Sequence, residues 1–311
     1  ATHDEAVFLP GPIQDISARV FLKAAGFDKS ELNKLFSKTK LRDDIINAIT
    51  RPAEGKPWHE YRPIFVTNTR ISEGVKFMRV YAEPLAKAEK QFGVPREIIT
   101  AIIGVETRYG RYRGKYRVMD SLATLAFNYP KRSAFFRKEL EQYLLLTREE
   151  HIEPLSMTGS YAGAMGQPQF ISSSFRRYAI DFDGDGKRDL WDNTYDAIGS
   201  VANYLSVHGW ERDQPIATLV KVDSQQAKPI LDNGLKPSLT VKELRKKGVK
   251  INQDFSDKLI GALIILETKT KPEYWIGFQN FYSITRYNHS ALYAMAVTQL
   301  GEEILNAEKS K

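Results

Sequence analysis

The spacing of apolar and polar positions predicts a mostly helical chain with one short β-rich interruption. Apolar residues recur every three to four positions through 71–92, 95–107, 119–151 and 194–210, and again from residue 280 onward. This is the period of a helix with one buried face. Between 211 and 274 the pattern changes to short runs such as QPIATLVKV and KLIGALIILE, bounded by polar turns, which is typical of strands.

The pattern therefore predicts an α+β fold in which a helical body is interrupted late by a small β-containing insertion. We expect a helical N-terminal domain at 1–70, a core at 71–210, a β domain at 211–274 and a return to the core at 275–311. Asp15, Asp28 and Asp120 precede apolar periods and are of a type suited to the N-cap. The three prolines of 51–63 predict a connector, and Pro84 predicts a break.

Composition narrows the class of protein. The 311 residues are 42% hydrophobic and 27% charged, which is typical of a globular protein, and no apolar run approaches the length of about 18 residues that a membrane span needs. Cysteine is absent, so disulfides, thiol catalysis and cysteine-bound zinc are excluded. The chain begins with Ala and shows no apolar signal region, so we expect a processed or trimmed N-terminus.

The net charge of +7 indicates an acidic partner, such as nucleic acid, an anionic membrane surface or an anionic glycan, or it serves solubility alone. No nucleic-acid-binding motif accompanies this charge, so we expect no nucleic-acid partner.

The segment DFDGDGKRDLWD, residues 181–192, matches a calcium-binding EF-hand loop, in which oxygen ligands stand at positions 1, 3, 5, 7, 9 and 12 and Gly at position 6. Those ligand positions hold Asp181, Asp183, Asp185, Lys187 (through its carbonyl), Asp189 and Asp192, with Gly186 at position 6. Five carboxylates in twelve residues repel one another unless a cation neutralises them. The alternative is an acidic, solvated turn. A single loop of this kind favours a structural calcium ion over a calcium sensor.

One carboxylate interrupts an apolar helix. In PREIITAIIGVETRYG, Glu106 follows Ile102 by four residues and Ile103 by three, so it projects from the apolar stripe. Desolvation of such a carboxyl raises its pKa, which is the property a general acid needs near neutral pH. Two alternatives are open from the residues alone: Glu106 is paired with a nearby arginine, or it lies at a frayed helix end before Gly110.

Glycoside hydrolysis normally uses two carboxylates. No second candidate lies near Glu106 in sequence before Asp120, although distant residues can approach in space. The segment GSYAGAMGQPQF at 159–170 and the segment RYNHSALY at 286–293 contain aromatic, amide and hydroxyl side chains of the kind that line glycan-binding grooves.

Five segments taken together resemble the membrane-bound lytic transglycosylase B family, which cleaves bacterial peptidoglycan. They are GVETRYGRYRGKYRVMDSLATLAFNYP, GSYAGAMGQPQF, DFDGDGKRDLWD, DAIGSVANYL and FYSITRYNHSALYAMAV. The resemblance runs from about residue 60 to 300. It implies a lysozyme-like catalytic core within the α+β fold, and it implies that the acidic loop holds a structural Ca²⁺. No organic cofactor is expected.

The resemblance also implies the site residues. Glu106 would be the single catalytic acid/base, cleaving the β-1,4 bond between N-acetylmuramic acid and N-acetylglucosamine and yielding a 1,6-anhydro product. Ser160 and Gln169 are similar to family residues that hold the sugar near the acid. Residues that match groove-lining positions of the family are Tyr204, Tyr287, Asn288 and Tyr293, with Tyr61 and Arg132 as weaker matches.

The expected protein is thus a lytic murein transglycosylase acting on peptidoglycan glycan strands. Two alternatives stay open: a hydrolytic muramidase that uses water, and a non-catalytic peptidoglycan-binding protein. The resemblance implies the periplasm of a Gram-negative bacterium, with an outer-membrane lipoprotein as a possible full-length form. A monomer is expected, with cell-wall synthesis proteins as possible partners.

Overall fold

The computed structural model describes residues 26–51 and 55–311. The helices of these residues, in chain order, are α1 (Lys29–Ser37), α2 (Asp43–Thr50), α3 (Trp58–Phe65), α4 (Asn68–Val80), α5 (Ala82–Phe92), α6 (Arg96–Thr107), α7 (Val118–Asn128), α8 (Ser133–Glu149), α9 (Ser172–Tyr178), α10 (Thr194–Val207), α11 (Ser224–Leu231), α12 (Val241–Lys246), α13 (Gln279–Tyr287) and α14 (Ala291–Lys309). The strands are β1 (Tyr116–Arg117), β2 (Thr158–Gly159), β3 (Ala217–Val220), β4 (Leu239–Thr240), β5 (Ile260–Leu266) and β6 (Glu273–Gly277). The predicted α+β class is confirmed, while the expected N-cap at Asp15 lies outside the described residues.

The contacts divide the chain into two compact units. The first comprises the described residues of Ala1–Ala53 together with Gly110–Ala197, and the second comprises those of Glu54–Tyr109 together with Ile198–Lys311. Both units are therefore built from two separate stretches of chain. The four-part division at residues 70, 210 and 274 does not follow these boundaries and stays a prediction.

The first unit is built around α8, which packs against α7 and α9. Phe136, Leu140 and Leu144 lie on one face of α8 at helical spacing and are buried. Glu139 of the same helix is also buried, and its carboxylate accepts hydrogen bonds from the Ser173 backbone N–H at 2.8 Å and from the Ser173 hydroxyl at 2.5 Å. This carboxylate thus satisfies a free backbone donor in the first turn of α9.

The second unit is centred on α14, which packs against α3, α4, α6 and α13. Small residues let the helices approach closely: a Cβ added to Gly301 of α14 would lie 3.2 Å from the Glu97 carbonyl of α6. Ala294, Val297 and Leu300 on α14 are fully buried. Helix α6 is consequently enclosed, with nine of its twelve residues buried.

The β-rich segment of the second unit forms an antiparallel sheet in the order β3-β6-β5-β4. One face of this sheet packs on α11 and α12 through a core that includes Val220, Leu263, Tyr274, Ile276 and Leu244. The predicted strand segments are confirmed, and the sequence pattern missed the two short helices that cover them. Of the described residues, no helix combines the length and apolar character that crossing a membrane requires.

Two local predictions are wrong. Residues 51–63 were expected to form a connector, but α3 begins at Trp58, directly after Pro57, and includes Pro63. Asp120 was expected to cap α7, but it is the third residue of that helix, 3% exposed, and its carboxylate accepts from the Lys40 N–H at 2.9 Å and from Arg117 at 2.8 Å. Asp28 does cap α1, as predicted.

Candidate active site

Glu106 occupies the last turn of α6, which ends at Thr107. Pro95 precedes the helix with φ −60°, an angle that suits its start. The chain leaves the helix through two left-handed residues, Arg108 (φ 46°) and Tyr109 (φ 60°). Glu106 therefore lies two residues before the chain reverses direction, on a helix whose other faces are buried. Its own side chain is half-buried, so a ligand can still reach it.

The electrostatic surroundings of Glu106 keep it protonated at neutral pH. Burial raises the pKa of its carboxyl from 4.5 to about 8, and the Tyr293 hydroxyl opposes this rise. The buried Tyr293 hydroxyl lies close enough to Glu106 to affect its carboxyl, but it makes no hydrogen bond within the ordinary limits of distance and angle to any described residue. Desolvation thus dominates, and no cation of the described residues contributes to the shift.

Two arginines close to Glu106 in sequence have other partners. Arg108 pairs with Glu73 at 2.8 Å, and Arg113 pairs with Asp192 at 3.0 Å. These pairs leave the apolar setting of Glu106 as the cause of its raised pKa.

Four tyrosines of the predicted groove meet at Glu106, each from a different helix: Tyr61 from α3, Tyr204 from α10, Tyr287 from α13 and Tyr293 from α14. The rings of Tyr204 and Tyr287 are 4.9 Å apart in an edge-on arrangement, and those of Tyr287 and Tyr293 are 6.4 Å apart and nearly parallel. These separations lie within the range of favourable aromatic pairs.

The tyrosines stay neutral beside the acid. Burial, followed by the charge of Glu106, raises the pKa of Tyr61 to about 12, and the same two causes raise the pKa values of Tyr287 and Tyr293 well above the usual range. Their hydroxyls can therefore donate or accept hydrogen bonds at physiological pH without adding charge.

Sequence reasoning missed His208. Its ring stacks on Tyr204 with centroids 3.9 Å apart, and its Nδ1 lies 2.6 Å from the Tyr204 carbonyl oxygen. The Tyr204 hydroxyl donates to the Arg286 carbonyl at 2.6 Å. The ring of Tyr204 is thus held from both ends. The spacing of four residues along a helix was the available sequence signal for the Tyr204–His208 pair.

Asn288 lies at the exposed end of α13, directly before the helix that carries Tyr293. Its carbonyl accepts from the Ser290 N–H at 2.6 Å, and the Ser290 hydroxyl in turn accepts from the Tyr293 N–H at 3.2 Å. The turn containing Asn288 therefore fixes where α14 begins and where Tyr293 is placed.

Three predicted sugar-binding residues belong to the first unit. The Ser160 hydroxyl accepts from the N–H groups of Ala162 at 3.2 Å and Ala164 at 3.0 Å. Gln169 adopts a left-handed backbone (φ 55°), and its amide donates to the Arg113 carbonyl at 3.2 Å. Arg132 lies over the ring of Phe135 at 4.3 Å. Ser160 and Gln169 thus have local structural partners, and their roles in sugar binding stay predictions.

The acidic loop, also in the first unit, gathers four carboxylates. Asp181, Asp183, Asp185 and Asp196 each offer an oxygen, and these atoms lie within 4.8 Å of one another. Asp196 follows the predicted loop and was not singled out by its spacing. It is buried, and it accepts from the Phe182 N–H at 2.8 Å and the Asp189 N–H at 2.9 Å. Hard carboxylate oxygens gathered this closely fit Ca²⁺.

The remaining predicted ligands are placed differently. The Asp189 carboxylate accepts from the N–H groups of Trp191 and Asp192. Asp192 pairs with Arg113, and its side chain is 81% exposed. Lys187 follows the turn and donates its N–H to Asp185 at 2.9 Å. The structure therefore groups Asp196, and neither Asp189 nor Asp192, with the first three aspartates.

The chain is similar to proteins of one family over nearly its whole length. The family model described as Transglycosylase SLT domain matches residues 14–302. The membrane-bound lytic murein transglycosylase B of Escherichia coli K12 is 43% identical over 289 residues, which cover 90% of this chain and 79% of that protein.

Solved structures give the same relationship. The soluble lytic transglycosylase SltB1 of Pseudomonas aeruginosa matches with a TM-score of 0.89 and 48% identity, covering 94% of this chain and 99% of its own. The Escherichia coli lytic transglycosylase SLT35 in complex with calcium matches with a TM-score of 0.88 and 41% identity, covering 97% of this chain and 97% of its own. Pseudomonas aeruginosa SltB3 in complex with NAG-anhNAM-pentapeptide matches with a TM-score of 0.82 and 29% identity, covering 93% of this chain and 78% of its own.

Proposed function

The chain belongs to the transglycosylase SLT domain family, and on this basis we propose that it cleaves the β-1,4 bond between N-acetylmuramic acid and N-acetylglucosamine in peptidoglycan. The family, the lysozyme-like fold and the enzyme class predicted from the sequence are confirmed. The observation that carries the proposed mechanism is the half-buried carboxyl of Glu106, whose pKa of about 8 leaves it protonated near neutral pH.

In the first step Glu106 acts as a general acid. Its proton passes to the glycosidic oxygen as the bond between that oxygen and muramic C1 breaks, so N-acetylglucosamine leaves with a hydroxyl. Glu106 is left as a carboxylate in a poorly solvated position. The Tyr293 hydroxyl, which favours the charged form of Glu106, stabilises this intermediate state.

In the second step the same carboxylate acts as a general base. It takes the proton of the muramic 6-hydroxyl as that oxygen bonds to C1, which closes a 1,6-anhydro ring and restores the protonated Glu106. The nucleophile belongs to the substrate, so its attack is intramolecular and requires no positioned water. The complex of SltB3 with an anhydro-muropeptide supports this product.

The tyrosines supply the walls of the sugar site. The partly exposed Tyr61 and Tyr287 present apolar ring surface for sugar stacking and neutral hydroxyls for hydrogen bonds, and the buried Tyr204 and Tyr293 pack against Tyr287 and hold it in place. We assign the remaining sugar contacts predicted from the sequence to Ser160, Gln169, Arg132 and Asn288.

A hydrolytic muramidase is the closest alternative. It normally requires a second carboxylate. No carboxylate is among the groups of the described residues that shift the pKa of Glu106.

The two reactions differ in their products. Mass analysis of muropeptides released from purified murein should show chains that end in 1,6-anhydromuramic acid, lighter by one water than hydrolysed chains. Exclusively reducing ends would favour the muramidase.

Glu106→Gln tests the assignment of the acid. This variant keeps the shape of the side chain but cannot donate a proton, so we expect loss of murein cleavage with retained binding to murein. Glu97→Gln, at the opposite end of α6, is the matched control and should cleave normally. Cleavage by Glu106→Gln at the wild-type rate would refute the mechanism.

We further propose that Asp181, Asp183, Asp185 and Asp196 hold a structural Ca²⁺. The ion would offset the repulsion among the four carboxylates and brace the loop, and it would take no part in the reaction. The SLT35 complex with calcium supports this assignment. We also propose that the protein acts as a periplasmic monomer, alone or with cell-wall synthesis proteins.

A further inference from the structure

The turn that follows Glu106 folds back on its own helix. The N–H groups of Arg108 and Tyr109 donate to the carbonyls of Gly104 and Ile103 at 3.1 and 3.2 Å. Both residues are left-handed, a conformation that costs about 1 kcal/mol or more for a residue with a side chain. Such a turn persists only where its surroundings stabilise it.

Those surroundings include a slot for the ring of Tyr109. A Cβ on Gly104 of α6 would lie 2.6 Å from Cζ of Tyr109, and a Cβ on Gly74 of α4 would lie 2.6 Å from its hydroxyl. Only glycine leaves room for the ring at these two positions. The hydroxyl donates to the Arg70 carbonyl at 2.6 Å. The ring is therefore fixed between α4 and α6.

The guanidinium of Arg70, on α4, connects two helix ends. Its Nε donates to the Gly104 carbonyl at 3.1 Å, and its Nη1 donates to the carbonyls of Ile64 at 2.8 Å and Phe65 at 3.4 Å. Gly104 lies in the last turn of α6, two residues before Glu106. Ile64 and Phe65 end α3, one turn after Tyr61. A cation at two helix C-termini is also favoured by the helix dipoles.

From these contacts we propose that Arg70 is a positioning residue, which sets the catalytic Glu106 and the substrate-facing Tyr61 at a fixed separation by binding the carbonyl ends of both helices. This inference rests on the proposed function of Glu106. The planar fork of arginine can reach both carbonyl groups in fixed directions, whereas a lysine ammonium is a single point on a flexible stem. Arg70 also lies 5.5 Å from the ring centroid of Phe65, which limits its rotation.

A second contact also joins α4 to the end of α6. Arg108, in the turn after Glu106, pairs with Glu73 on α4 at 2.8 Å. Arg70, Glu73 and Gly74 thus present one face of α4 to the end of α6. Because Arg70 also reaches α3, its replacement should change the relation of Glu106 to Tyr61 while the Arg108–Glu73 pair still anchors α6.

The test compares Arg70→Lys with Arg79→Lys, which makes the same change at an exposed position near the other end of α4. Measured are kcat and KM on purified murein chains, the alkaline limb of the pH profile, and the melting temperature. We expect kcat of Arg70→Lys to fall about 10- to 100-fold, since an acid misplaced by about 1 Å loses rate on that scale. KM should change less than about threefold, because the tyrosine walls remain. The alkaline limb should move to lower pH, because a displaced Glu106 is better solvated.

Several results would overturn the inference. One is a folded Arg70→Lys with kcat within about twofold of wild type, and another is a loss of kcat that disappears well below the melting temperature of the variant. If Arg70→Lys does not fold, Arg70→Gln is the second variant: its amide is too short to bind the carbonyl ends of both helices, and an unchanged kcat there would also overturn the inference. If wild type and Arg79→Lys fail to cleave murein, the proposed function fails instead. Cleavage that depends on Glu106 but not on Arg70 refutes the positioning role alone.

Discussion

Glu106→Gln should stabilise the protein increasingly as the pH rises. In the folded chain the pKa of Glu106 is about 8, against 4.5 for the ordinary carboxyl. Between these values the folded state keeps a proton that the unfolded state has released, so the stability of the wild type falls as pH rises. Each pH unit in this window corresponds to about 1.4 kcal/mol, which gives a cost on the order of 3 kcal/mol at pH 7.

Partial solvent access to Glu106 reduces this cost, so we expect about 1–3 kcal/mol. Gln keeps the shape and cannot ionise, so its stability lacks this dependence. Urea unfolding followed by tryptophan fluorescence at pH 5, 6, 7 and 8 measures the difference between variant and wild type. The difference should grow through this window and level off above pH 8. Glu302→Gln, the same change at an exposed position of α14, is the control. A difference that stays constant from pH 5 to 8 would show that Glu106 is not held in its neutral form.

Three further outcomes are expected. The value of kcat/KM should decline above a pH of about 8, because the acid that starts the reaction is then ionised; a profile that is flat to pH 9 would contradict this. Chelation should lower the melting temperature and calcium should restore it. Asp185→Asn should weaken that response more than Asp192→Asn, because Asp192 pairs with Arg113 outside the group of four carboxylates; equal effects would favour the ligand set read from spacing. Gly114→Ala should cost more than about 3 kcal/mol in urea unfolding, since its Cβ would overlap the Gly159 carbonyl at a φ of 93°; a change below about 1 kcal/mol would mean that the backbone there moves freely.

The sequence by itself determined the features that depend on neighbours along the chain. The period of three to four residues predicted α6 and placed Glu106 on its apolar side, because the side chains of a helix recur on one face whatever surrounds it. The alternation of turns and apolar runs predicted β3, β5 and β6. The acidic loop at 181–192 could be recognised from the sequence because Asp181, Asp183 and Asp185 follow one another at intervals of two residues.

Only the tertiary structure decided which distant groups meet. The four tyrosines around Glu106 come from α3, α10, α13 and α14, and their meeting depends on how these helices pack. Asp196 joins the three aspartates because α10 begins beside the loop. Asp120 is of an N-cap type by local rules, yet its carboxylate binds the Lys40 N–H, 80 residues away. The role of Arg70 had no signal at all, because its acceptors are backbone carbonyls, which every residue carries and no sequence pattern distinguishes.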